Sequence, residues 1–353
     1  QAHPDWASQK NEDFVCNGPF KLKPSRSNYS YELEKNPSFS NQSQVKIDTI
    51  TITQAHGKTA IEMFLKKQFD FIRMPTHLIR ESTYNRLVDF AVSVPSSRVF
   101  WFCLNVNCFP FSHHKLRKAF GHALNRERIK EVFPLFKRPA LTPLSDIFTH
   151  HLEADFLIQE DEEMAKTLFN EALIEMGLKL EDFPVININV PVSAKRKEMA
   201  EILKSDWERI FGIHCTVEVY PWQEFFYQLT NGFFQVSGVT WESWLNDPMY
   251  TLNAFKYRNE KINFSNWENN DYQKLLKRAN QEINLTKRGE FLAAAEEILI
   301  KDVVVLPIFY EMSWHIKKSI RPDRELILPQ SFSPTASLDL SQAYFKKNGS
   351  YST

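Results

Sequence analysis

Glycine is scarce in this chain, with 9 residues in 353. A glycine-rich phosphate cradle has little to be built from, and neither GxGxxG nor GxxxxGK[ST] occurs. Net charge is absent as well: Lys+Arg and Asp+Glu both number 43. That balance argues against a general nucleic-acid binder or a polybasic membrane-surface protein. No apolar run reaches the roughly 20 residues of a membrane-spanning helix. The nearest, Val99 to Phe111, is broken by Asn105, Asn107 and Pro110. The four cysteines, Cys16, Cys103, Cys108 and Cys215, fit no CxxC or zinc-finger spacing. They read as buried free thiols. GxSxG is missing, so no nucleophile elbow is expected. The pairs His113-His114 and His150-His151 place adjacent imidazoles on opposite sides with no acidic cluster beside them, so no metal site is expected. The chain starts at Gln1, and no charged segment followed by an apolar stretch marks an export signal within it.

What the chain does have is phenylalanine, 29 residues of it, and enough length for two lobes. Residues 14–35 read as a hairpin turning at Asn17-Gly18-Pro19, and Val45 to Thr53 alternates as a strand. Thr59 to Lys67 has helical spacing and Phe69 to Ile72 is a short strand after it, a strand–helix–strand order that predicts an α/β lobe. Val99 to Val106 reads as a strand and His114 to Val132 as one amphipathic helix. Helices from Glu162 to Met176 and from Lys195 to Phe211 stop at Gly177 and Gly212. Strands at Pro184–Val192 and Ile213–Val219 interleave with them, which predicts a second α/β lobe. Helices at Asp271–Ile283 and Lys287–Ile300 lead to an apolar strand, Val303 to Tyr310.

The densest chemistry lies in Trp241-Glu242-Ser243-Trp244-Leu245-Asn246-Asp247-Pro248. It follows Phe233 to Val239, an apolar run that reads as a buried strand ending at a glycine. Aromatic faces with a few polar groups at a strand end are the materials of a ligand pocket; core tryptophans under a surface loop would use the same residues. Glu242 and Asp247 could also be offered as facing carboxylates of a glycosidase. Lys195-Arg196-Lys197 puts cations at a helix start, where the macrodipole favours anions. It reads either as a solvated face or as a cationic mouth for a carboxylate.

Several segments together resemble the family 5 extracellular solute-binding proteins, the oligopeptide- and dipeptide-binding components of bacterial ABC importers. Phe14-Val15-Cys16-Asn17-Gly18-Pro19-Phe20-Lys21-Leu22 with Leu33-Glu34-Lys35-Asn36-Pro37 resembles the family's NGPY hairpin and its LERNP continuation. Leu116 to Ile129 resembles its VR-A---AIDR--I helix, Trp241 to Pro248 falls at its GW--DY-DP segment, and Val305 to Tyr310 matches its VPLYY strand. The set occurs in the family's order over nearly the whole chain.

The resemblance implies an α/β, two-lobed periplasmic-binding-protein (clamshell) fold of type II, with residues 1–104 and 309–353 in one lobe and 105–308 in the other. It implies a hinge through Leu104-Asn105 and Pro307-Phe309. Family members carry a stretch before the hairpin that supplies first strands and the export signal, so the fold is expected to be N-terminally incomplete. The implied function is capture of oligopeptides and their delivery to permease subunits in the periplasm or cell envelope, in a lipid-anchored or soluble form. No catalysis, cofactor, metal or nucleic acid is implied, and the protein is expected to be a monomer. Ligand-binding candidates are Trp222, Trp241, Glu242, Trp244, Arg196 and Arg73. The family's amine-binding Asp falls at Trp244 here, and its carboxylate-binding Arg at Gly238. Murein peptide, nickel chelate, haem or sugar therefore remain open as cargo, as does a ligand-sensing domain of a transcriptional regulator.

Overall fold

The structure, a computed structural model, describes residues 16–23, 29–55, 57–75, 87, 90–133, 138–148, 157–316, 324–327 and 343–347. The chain divides into two compact units, 1–94 with 313–353, and 95–312. The expected boundary residues are Leu104, which closes the long strand Ala91–Leu104, and Phe309, inside the strand Val305–Ile316; the two units part at 94/95 and 312/313 within the same strands.

In the first unit, Phe20–Leu22 (β1), Ser30–Lys35 (β2) and Thr49–Thr53 (β3) form an antiparallel sheet in that order. Leu22 faces Leu33, and Leu33 faces Ile50. Asn36 ties the two ends of the hairpin motif together. Its side-chain amide donates to the Gly18 carbonyl at 2.9 Å, and its oxygen accepts from the Ser38 N–H at 3.0 Å. Phe14 and Val15 lie outside the described residues. Gly57–Leu65 (α1) buries Ala60, Ile61 and Phe64, and is followed by Ile72–Pro75 (β4).

The second unit is built on a five-stranded run of sheet. Its elements are Ala91–Leu104 (β5), which begins in the first unit, then His114–His122 (α2), Arg126–Val132 (α3) and Glu162–Met176 (α4). Ile186–Pro191 (β6), Ala194–Phe211 (α5), Cys215–Tyr220 (β7), Trp222–Thr230 (α6) and Val236–Glu242 (β8) follow. Pro248–Asn253 (α7), Asn270–Gln281 (α8), Leu285–Lys301 (α9) and Val305–Ile316 (β9) complete the unit. Strand order is β9-β5-β8-β6-β7. The end of β9, Ser313–Ile316, belongs to the first unit and pairs antiparallel with β4. There Arg324–Ile327 (β10) also pairs with Tyr344–Lys347 (β11).

Alternation along the strands divides the core in two. Phe100, Phe102 and Leu104 point to one face of the sheet, with Ile188, Val190 and Val236. There α2, α4 and α5 cover them through Phe120, Phe169 and Trp207. Val99, Trp101 and Cys103 point to the other face with Val239 and Val305, under Phe225 of α6, Tyr272 of α8 and Leu299 of α9. Each fully buried aromatic side chain contributes roughly 1.5–3 kcal/mol by area.

Two expectations are corrected. The helix read from His114 to Val132 is two helices, because Asn125 caps the second by accepting from the Arg128 N–H at 2.7 Å. The strand does not end at Gly238 but runs on to Glu242. Gly238 allows this because a Cβ there would meet Phe100 and Val190 at 3.1 Å; strand packing, not a turn, requires the glycine. Cys103 and Cys215 are buried free thiols whose pKa burial pushes up, the latter to about 12; Cys16 and Cys108 are free and half-buried.

Glu296 of α9 is buried, and its Oε1 has no hydrogen-bond partner. Burial pushes its pKa up to about 7, against a smaller downward pull from the Thr142 hydroxyl. The folded state therefore holds this proton above pH 4.5, where the unfolded chain has released it. Stability falls as pH rises between about 4.5 and 7, by about 3 kcal/mol for a shift of this size. Glu296→Gln is expected to flatten that decline and to raise the melting temperature at pH 8, as read by calorimetry across pH.

Candidate functional site

Sheet direction builds the site. β6 runs parallel to both β7 and β8, with Pro191 level with Tyr220 and Asn189 level with Ser237. β5 runs opposite to β8, so Arg98 faces Glu242 and Val99 faces Trp241. Leu104 donates to the Val304 carbonyl at one end of β5, and Ser96 Oγ donates to the Glu311 carbonyl at the other, so β9 runs with β8. The carboxyl ends of β6, β7 and β8 are thus gathered at one end of this unit's sheet, level with Glu311 of β9, and α/β folds receive ligands at such ends. Val192, Trp222, Trp244 and Leu245 all follow these strand ends, and each is between 58% and 68% exposed.

Behind them lies a charge network. Ser193 caps α5 by accepting from the Arg196 N–H, which sets the first turn so that Arg196 points back over the sheet. Its guanidinium stacks 3.9 Å from the Phe100 ring centre. Nη2 donates to Thr240 Oγ1 and, at 3.0 Å, to Glu311 Oε1. Arg98 Nη1 stands 3.7 Å from Glu311 Oε2, and Arg98 Nε stands 3.4 Å from Glu242 Oε2. Arg196 and Glu311 are both buried, and burial lowers the Arg196 pKa while Glu311 raises it. Two cations and two carboxylates compensate one another.

The segment after β8 is held by its own polar groups. Ser243 is buried, its N–H donating to the Ser97 carbonyl at 3.2 Å and its hydroxyl to the Leu245 carbonyl at 2.8 Å. Asp247 caps α7 through the Met249 N–H and takes two bonds from Arg288 Nη2, at 2.7 and 2.9 Å. Glu242 and Asp247, offered above as a carboxylate pair, are engaged by different arginines. His113 lies beside Glu175, and His114 meets the Lys301 carbonyl at 3.0 Å. His150 and His151 lie outside the described residues.

The candidates from sequence separate into groups. Trp222, Glu242, Trp244 and Arg196 belong to the same end of the sheet. Trp241 points to the opposite face from Arg196: its ring stacks on Trp101 at 6.1 Å and its Nε1–H donates to Thr251 Oγ1 at 2.9 Å. Arg73 lies in β4 opposite His315, and its side chain lies outside the described residues. Sequence reading missed Arg98, Thr240 and Glu311. A charge inside each of two apolar strands, Ser97-Arg98-Val99-Phe100 and Phe309-Tyr310-Glu311-Met312, was the available signal.

Residues 2–263 match the bacterial extracellular solute-binding proteins, family 5 (middle). The chain belongs to that family. Its members are described as extracellular solute-binding proteins. The chain is 29% identical over 350 residues to the oligopeptide-binding protein OppA of Bacillus subtilis, covering 97% of this chain and 63% of the relative. It is 27% identical to the dipeptide-binding protein DppE of the same organism, covering 89% and 58%. The crystal structure of a periplasmic oligopeptide-binding protein from Borrelia burgdorferi superposes with a TM-score of 0.70 at 24% identity, covering 95% of this chain and 66% of that one. The family 5 chain therefore has the α/β fold of periplasmic peptide-binding proteins and spans about three fifths of the length of the curated relatives it matches.

The buried pair at the strand ends gives a direct test. Arg196→Ala removes the hydrogen-bonded partner of buried Glu311, leaving it only Arg98 at 3.7 Å, and is expected to cost about 3 kcal/mol. Replacing both partners, Arg196→Met with Glu311→Leu, is expected to recover most of that loss in urea unfolding.

Proposed function

We propose that the protein is the substrate-binding component of a peptide ABC importer, capturing oligopeptides at the carboxyl ends of β6, β7 and β8 and handing them to permease subunits. The observation that carries this reading is that four exposed apolar side chains, Val192, Trp222, Trp244 and Leu245, follow the ends of the neighbouring strands β8, β6 and β7, beside the Arg196–Glu311 pair. Isolated exposed apolar residues are ordinary, but four after adjacent strand ends support the reading of a ligand surface. The names of the Bacillus relatives supply the cargo class. The protein works in the periplasm or cell envelope, as a monomer, by binding and release without catalysis. A peptide laid across these ends covers the aromatic faces and takes main-chain hydrogen bonds whatever its sequence.

Trp222 and Trp244 contact the ligand in this reading, Arg196 and Glu242 hold the surface in place, and Trp241 supports it from the other face. Trp244→Ala is expected to weaken peptide binding by about tenfold, the loss of one aromatic contact, with little change in melting temperature. Trp241→Ala is expected to do the reverse, costing about 2 kcal/mol of stability by opening a gap against Trp101. Calorimetric titration with an octapeptide mixture, alongside thermal unfolding, separates the two. Unchanged affinity in both Trp222→Ala and Trp244→Ala would place the ligand elsewhere.

A further inference from the structure

Charge pairing at the carboxyl end of the sheet bears on which part of a ligand is recognised. Every charged side chain borne by the described ends of β5, β8 and β9 in this unit already has an opposite charge beside it. Glu242 is taken by Arg98, and Glu311 by Arg196 and Arg98. Asp247, the other acid of the segment after β8, is taken twice by Arg288. The quartet Arg98, Arg196, Glu242 and Glu311 sums to zero, so an approaching charge meets opposed fields that largely cancel. An ammonium that reached Glu242 would displace or share Arg98, exchanging one ion pair for another at no net gain. Arg196 is committed in the same way, to Glu311, to Thr240 and to the face of Phe100. Lys197 and Glu224, in the first turns of α5 and α6, are exposed, and a pairing formed there is screened and worth little.

Among the described residues, the other large side chains that this end of the sheet exposes are apolar: Val192, Trp222 (its ring resting on Phe225 and Phe226), Trp244 and Leu245. Arg196 Nη1 and Glu311 Oε2, which have no hydrogen-bond partner, are buried away from solvent. We infer that the protein takes its peptide by apolar side chains and main-chain amides and not by the terminal ammonium or carboxylate, so that it accepts peptides with blocked ends, and internal stretches of longer ones, as readily as free ones. The inference rests on the peptide-capture reading above and specifies its ligand class.

The experiment uses one random octapeptide mixture prepared in two forms, with free termini and with N-acetyl and C-amide caps. Each is offered to the protein at 50 mM and 500 mM salt, and retained peptides are identified and their dissociation constants measured. The expected result is retention of both forms, enriched in apolar residues, with dissociation constants within threefold across caps and salt. A loss of tenfold or more on capping overturns the inference while leaving peptide capture standing. Retention of neither form overturns peptide capture, and this inference with it.

Discussion

The contact between Arg196 and Glu311 is the constraint on which the rest of the site depends. It joins the first turn of α5 to the middle of β9 across the face of Phe100, in a place closed to water. Burying one such charge alone would be prohibitive; burying both is tolerable because each is the other's partner. Arg98 then bridges Glu311 to Glu242, so three strands and a helix are registered at one end of the sheet by complementary charge. Hydrophobic packing on the two faces supplies most of the stability. The ion pairs fix where the strand ends stand.

That arrangement separates support from contact. Trp241 and Trp244 are three residues apart, yet one is packed on Trp101 in the core and the other stands in solvent. The strand carries Trp241 to one face, the Ser243 turn ends it, and Trp244 falls beyond. In the proposed site the exposed aromatic residues supply an adaptable surface, and the strand ends that carry them supply rigidity. Membership of the family 5 solute-binding proteins shows the fold, and a shared fold leaves the cargo to be argued from the residues of the site.

Much of this was legible in the sequence. Alternation marked the strands, and Gly177 and Gly212 marked helix ends, where both adopt left-handed backbone. Asn36 and the Asn17-Gly18-Pro19 turn belonged to one ordered motif, and the structure gives the reason: the Asn36 amide binds the Gly18 carbonyl. The errors came where local signals compete with tertiary ones. Gly238 read as a strand end because glycine usually punctuates, but here it makes room for Phe100 and Val190. Once the strand continues, Trp241 and Glu242 must point to opposite faces, which a loop reading could not distinguish. The role of Arg196 depended on Glu311, more than a hundred positions away. No local pattern carries that pairing; it follows from strand order.

The central claim is that ligand lies on the side chains at the carboxyl end of the sheet. Hydroxyl-radical footprinting with and without a saturating octapeptide mixture tests it residue by residue, since oxidation of an exposed indole reports its cover directly. The account predicts strong protection of Trp222 and Trp244 on peptide addition, with Trp241 and the distant, exposed Tyr257 unchanged. Equal oxidation of Trp222 and Trp244 with and without bound peptide would contradict it.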